Sequence, residues 1–184
     1  MRDVRDAEDA DRDMLAGMFS RAFADDPCMT WLYPERNARS VSAVNSFRFL
    51  FDQNVTGIRL TTTGCEATSL WQFFAHGDRP AQTEKTPADI SRTAALTHAL
   101  AMHKPLGEFW YLHVTACEPA HQGAGWGAAV IRAGLARTAR KSIYLETANI
   151  ANLPFYRAMG FHVSEEWDVA DGGPHFWSMT RPAT

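Results

Sequence analysis

The stretch Trp110-Tyr-Leu-His-Val-Thr-Ala-Cys-Glu-Pro-Ala-His-Gln-Gly-Ala-Gly-Trp-Gly-Ala-Ala-Val-Ile131 decides how this chain reads. Its aromatic and β-branched opening, continuous with Phe109, suits a strand buried in the middle of a sheet. Pro119 interrupts that strand, and Gln122-x-x-Gly125-x-Gly127 then opens an alanine-rich helical run. Gly123, Gly125 and Gly127 lack Cβ atoms, so the backbone there can take unusual dihedrals and approach a ligand closely. A helix starting at such a turn adds unpaired N–H groups and the positive end of its dipole. The combination is an anion cradle, suited above all to a phosphate or pyrophosphate.

Three glycines alone do not separate such a cradle from a plain loop, so the surroundings must decide. Gly123-x-Gly125-x-x-Ala128 also satisfies a dinucleotide-binding fingerprint, with Glu146 where a ribose-binding acid would stand. In that fold the strand runs almost directly into the first glycine, whereas here residues 117–122 intervene and Pro119 breaks the strand. No Gly-Lys-Ser/Thr follows, which excludes a nucleoside-triphosphate P-loop.

With Pro119, Gln122-x-x-Gly125-x-Gly127 and the helix in view, residues 103–182 resemble the acyl-CoA-binding core of the GNAT N-acetyltransferases. Asn149-Ile-Ala-Asn-Leu-Pro-Phe-Tyr-Arg-Ala-Met-Gly-Phe161 is similar to that family's following segment. Leu145-Glu-Thr, Asn152-Leu-Pro-Phe-Tyr156 and Trp177-Ser-Met-Thr-Arg bring the likeness closest to puromycin N-acetyltransferase and related small-molecule enzymes. The resemblance implies an α/β fold with a mixed six- to seven-stranded sheet flanked by helices and splayed between the central strands. It also implies acetyl-CoA as co-substrate. The first hundred residues match only loosely, apart from Ala22-Phe-Ala-Asp25 and Trp71, so puromycin itself does not follow.

At 184 residues the chain suits one domain, 1–184, with a sizeable core. A net charge of −3 gives no electrostatic reason to expect nucleic acid or an anionic membrane as partner. No apolar run approaches a membrane span and no signal-peptide stretch opens the sequence. Cys28, Cys65 and Cys117 are odd in number and widely spaced, which argues against a disulfide framework and fits a cytoplasmic setting. The seven histidines include no pair at metal-ligand spacing, so no metal is expected. A homodimer stays open.

Residues 2–5 suit a first strand, and Asp9 or Asp11 a cap for a helix whose apolar face is Met14, Leu15, Met18, Phe19, Ala22 and Phe23. Asp25-Asp26-Pro27 stops it. Trp31 and Tyr33 near the next break read as core covers or, by resemblance, as part of an acceptor pocket in which Asp26 attracts an ammonium. A second helix is expected over 38–54 with Val41, Val44, Phe47, Leu50 and Phe51 on one side. Strands over 58–62 and 67–74 form a hairpin, residues 77–87 read as a mobile loop, and residues 89–102 as a helix started by Thr86-Pro87. The helix after the cradle should turn Ala128, Ile131, Leu135 and Ala136 inward, with Gly134 packed close on the sheet. A strand over 142–147, a short helix around Pro154 ended by Gly160, and a hairpin about Asp171-Gly-Gly complete the chain.

Acetyl transfer to an amine needs a positioned thioester, a neutral amine, oxyanion stabilisation and a proton for the departing thiolate. The resemblance assigns the pantetheine arm and the thioester oxygen to the strand edge from Thr115 to Cys117. It assigns the pyrophosphate to Gln122, Gly123, Ala124, Gly125, Gly127 and Ala128, with Asn149 and Asn152 as helix caps that also touch the cofactor. Tyr156 is the expected proton donor, since a phenol near pKa 10 stays protonated at neutral pH. Glu146 is the first candidate base, while Glu118, Asp26, His113 or no dedicated base remain open. Cys117 is not needed as a nucleophile, because direct transfer uses none. The expected activity is acetyl-CoA-dependent N-acetylation of a small-molecule amine. Acetylation of a protein N-terminus, or a non-catalytic acyl-CoA-binding sensor, are the alternatives.

Overall fold

A computed structural model describes residues 2–75, 91–138 and 140–183. The expected loop over 77–87 and the start of the next helix at Asp89 lie outside them. The strands are β1 (Val4–Asp6), β2 (Ile58–Thr62), β3 (Ala67–Phe74), β4 (Phe109–Cys117), β5 (Ile143–Thr147), β6 (His162–Asp168) and β7 (His175–Arg181). The helices are α1 (Arg12–Ala22), α2 (Pro27–Leu32), α3 (Arg36–Gln53), α4 (Arg92–Met102), α5 (Trp126–Arg137) and α6 (Leu153–Ala158). All seven strands join one sheet in the order β1-β2-β3-β4-β5-β7-β6. No helix among the described residues is long and apolar enough to cross a membrane.

Every neighbouring pair is antiparallel except β4 with β5. That parallel pair is in register only at Trp110 with Ile143 and Tyr111 with Tyr144, after which the two strands part. The expected splay is therefore present, and it leaves one edge of β4 without a strand partner from Leu112 onward. A bulge sharpens the effect. Leu112 pairs with Trp71 and Val114 with Leu70, so His113 is an extra residue on β4. One added residue changes which way the side chains beyond it face. Leu112 joins the core under α5 and α6, with Trp71, Ile131, Ile143 and Leu145. Val114 joins the core built by α1 and α3, with Leu15, Phe19, Phe47 and Phe51.

Trp71 is fully buried, and its Nε1 donates to Ser69 Oγ at 2.9 Å. A Cβ on Gly134 would lie 2.3 Å from the Trp71 ring, so only glycine lets α5 sit this close to β3. Several side chains depart from the sequence pattern. Met14 and Val41 are exposed, because α1 buries Leu15, Met18 and Phe19 and α3 buries Ala43, Phe47 and Phe51, leaving both residues beside those stripes. Ala136 is exposed, and Val130 fills the inward face in its place. Asp11 does not cap α1 through its side chain; its carboxylate accepts from the Glu8 N–H at 2.8 Å and from Arg5 instead. Pro27 starts a helix rather than merely ending one, with Asp26 Oδ1 accepting from the Cys28 and Met29 amides at 2.9 and 3.1 Å.

Candidate active site

After β4 the chain makes a short turn at Pro119–His121, and Gln122 Nε2 donates back to the Cys117 carbonyl at 3.3 Å. Gly123 and Gly125 follow at φ +74° and +84°, a region that L side chains rarely adopt. Gly125 is the residue from which α5 departs, and no side chain caps that helix. Thr115, Cys117, Gln122, Gly123, Gly125, Gly127 and Ala128 all line one cavity of about 660 Å³, as do Asn149, Asn152 and Tyr156. Ala124 is exposed and is not among the lining residues. Asn149 accepts from the Ala151 amide at 3.0 Å, and Asn152 donates to Thr147 Oγ1 at 3.2 Å, so both have structural roles at the cavity wall.

Tyr156 on α6 is buried among Phe155, Phe161 and the β4–β5 core. Burial pushes its phenol up to about 12, with the nearby Thr115 hydroxyl opposing the rise and the Asp26 charge adding to it. Thr115 Oγ1 itself is buried and makes no hydrogen bond among the described residues. A second cavity of about 180 Å³ adjoins the first. It shares Phe23, Asp26, Thr115, Asn152 and Tyr156 with the first and adds Tyr111, His113 and Glu146. Tyr156 lines both cavities, and Glu146 lines the second. Neither Trp31 nor Tyr33 lines either cavity; each packs against the core, Trp31 beside Trp167 and Tyr33 beside the α1–α3 cluster.

The family model described as Acetyltransferase (GNAT) family matches residues 95–161, the segment that holds β4, the glycine turn, α5, β5 and α6. Over residues 95–161 the chain matches the GNAT acetyltransferases. Solved structures extend the fold over the whole length. A histone acetyltransferase HPA2 and related acetyltransferase from Corynebacterium glutamicum superposes with TM-score 0.74 at 23% identity, covering 100% of this chain and 98% of that one. The polyamine N-acetyltransferase of Drosophila melanogaster gives 0.69 at 9% identity, covering 98% and 99%. The NatC complex bound to Gag peptide and CoA gives 0.60 at 14% identity, covering 100% of each. At these identities the likeness speaks for the GNAT fold, and the finer likeness to the puromycin enzymes rests on sequence motifs alone.

Within this GNAT frame the candidate bases separate. Glu118 is paired with Arg21 at 2.7 Å, its carboxyl held low by that guanidinium, and it lines neither cavity. Burial pushes His113 down to about 4, with the Lys104 charge adding, so it is neutral at pH 7 but a weak base. Asp26 is raised by burial, yet its Oδ1 already receives two backbone amides. Glu146 differs from all three. Burial raises it to about 7, against the opposing charge of Lys104 and the Tyr111 hydroxyl, and its Oε1 is buried with no hydrogen-bond partner among the described residues. Cys117 is raised by burial, away from the thiolate a nucleophile requires.

Two members of this cluster escaped the sequence reading. Tyr111 stacks on His113 at 4.6 Å, and Lys104 Nζ sits 4.7 Å over the Tyr111 ring and 4.6 Å over Phe74. Lys104 follows the end of α4, where any cation complements a helix dipole, so its position in sequence carried no sign of a role.

Proposed function

We propose that the protein is an acetyl-CoA-dependent N-acetyltransferase that transfers the acetyl group directly to a small-molecule amine. The observation that carries this reading is the meeting of two cavities at Tyr156, one floored by the glycine turn and one by Glu146. The residues fit acetyl-CoA: left-handed glycines at a helix start for the pyrophosphate, and a partnerless Thr115 hydroxyl where the thioester would pass. Acetyl-CoA supplies an acyl group activated as a thioester.

In the proposed reaction Glu146 accepts a proton from the acceptor's ammonium, and the free amine nitrogen attacks the thioester carbonyl. A C–N bond forms and the C–S bond breaks. The unpaired edge of β4 offers backbone N–H groups to the developing oxyanion. Tyr156, protonated at neutral pH, gives its proton to the departing thiolate and regains one from the amide nitrogen. The products are the N-acetyl amine, CoA and one proton that leaves Glu146 for solvent.

The small second cavity favours a small molecule over a protein N-terminus. A carboxylate near 7 and an unpartnered hydroxyl at the junction favour catalysis over a silent acyl-CoA sensor. Calorimetry with acetyl-CoA, followed by a thiol-release assay over a panel of amines, tests the reading. Folded protein with no affinity for acetyl-CoA would end it.

A further inference from the structure

We infer that the acceptor is a monocationic primary amine with a compact apolar body, held in the smaller cavity with its ammonium at Glu146 and Thr115. The inference rests on the acetyltransferase reading and deepens it. The cavity has a polar end and an apolar end. Glu146, Thr115 and Tyr156 line it at the splay, while Phe19, Phe23, Met29, Leu50, Leu96 and Leu100 line it from α1 to α4. At about 180 Å³ it is well below the ~300 Å³ at which drug-sized sites begin, too small for a nucleoside or an aminosugar chain.

The charges inside it fix the ligand's charge. Among the described residues Glu146 Oε1 and Thr115 Oγ1 are buried and make no hydrogen bond, although Lys104 and Tyr111 lie near the carboxylate, and a buried acceptor left unpaired is unfavourable until a donor reaches it. An ammonium brings three donors and a positive charge. Among the described residues lining this cavity, the other carboxylate is Asp26, whose Oδ1 is held by the Cys28 and Met29 amides. Among the described residues, a second ammonium on the substrate would therefore meet leucine and phenylalanine, the Asp26 carboxylate being already engaged by those amides. A substrate carboxylate or phosphate would face Glu146. Lys104 offers it no relief, because its Nζ lies over the Phe74 and Tyr111 rings and Lys104 lines neither cavity.

The decisive comparison is a matched pair, hexylamine and 1,5-diaminopentane, which differ by a terminal methyl against a terminal ammonium. CoA release by the full chain at saturating acetyl-CoA gives kcat/KM for each, beside propyl- to pentylamine, 2-phenylethylamine, spermidine and a tripeptide with a free N-terminus. The expected result is a rise of about fourfold per added methylene from propyl- to pentylamine. The diamine should fall at least tenfold below hexylamine. Leu100→Asp and Leu96→Asp, each placing a carboxylate in the apolar wall, should narrow that gap. A diamine, polyamine or peptide accepted as well as hexylamine overturns the inference and leaves the acetyltransferase standing. So does acetyl-CoA binding with no turnover of any monoamine. Loss of acetyl-CoA binding itself, read by calorimetry, falls instead on the parent reading. The matched pair is measured on the unaltered protein, so a variant that misfolds leaves the outcome intact.

Discussion

Replacing Glu146 by glutamine should make the protein more stable and less active, with a pH dependence that identifies the cause. The carboxyl titrates at about 7 in the folded protein against 4.5 for an ordinary glutamate, because burial penalises its charged form. A folded value above the unfolded one means that the native state holds the proton more tightly. The destabilisation is then absent below pH 4.5, grows between pH 4.5 and 7, and is fully present above 7. Its upper size is 7 minus 4.5, or about 2.5 pH units at ~1.36 kcal/mol each, so about 3 kcal/mol. Lys104 loses its counter-charge in the variant, which reduces the gain to between about 1 and 3 kcal/mol. For a chain of this length that is a rise of roughly 2–12 °C in Tm at pH 8.5. Urea melts of both proteins at half-unit steps from pH 5 to 9 would trace the difference. A Glu146→Gln protein that is less stable than wild type at pH 8.5, or whose advantage is the same at pH 5, would refute a buried, strained carboxylate. The same variant should lose the acidic limb of the kcat/KM profile that belongs to the base.

Lys104→Met should raise the Glu146 carboxyl further. A tenfold gain in its affinity for the proton would lower kcat/KM by about fivefold at pH 7, with the variant converging on wild type by pH 9. Lys104→Arg should restore the profile, whereas parallel profiles at every pH would leave Lys104 a packing role only. Tyr156→Phe should keep acetyl-CoA affinity by calorimetry but lower the single-turnover rate by about 10²-fold or more; an unchanged rate constant removes the phenol from the chemistry. Gly134→Ala drives a methyl to 2.3 Å from the buried Trp71 ring and should cost about 1–3 kcal/mol in urea melts, with α5 displaced from β3. A variant as stable as wild type would mean that α5 and β3 have room to spare at this contact.

The glycine turn, the flanking β4 and α5, the β2–β3 and β6–β7 hairpins and the Tyr156 helix are all legible in sequence. Each is specified within a few residues, by glycine at positive φ, proline at a helix start, or an apolar run bounded by turn residues. The likeness to the GNAT core extends that reading to the splay and to Tyr156. What the sequence does not disclose depends on partners far along the chain. The His113 bulge exists only relative to β3, and it sends Leu112 and Val114 into different cores. The exposure of Met14 and Val41 depends on how α1 meets α3. Asp26 reads in sequence as part of a helix stop and a candidate partner for an ammonium, whereas the fold sets the Cys28 and Met29 amides on it. Glu146 stands out in sequence for its strand end, but its raised carboxyl comes from burial and its moderation from Lys104 and Tyr111. Local backbone preferences act over a turn or a strand and can be read from neighbouring letters. A cavity, a desolvated charge and its counter-ion are sums over distant elements, and only the folded chain brings those together.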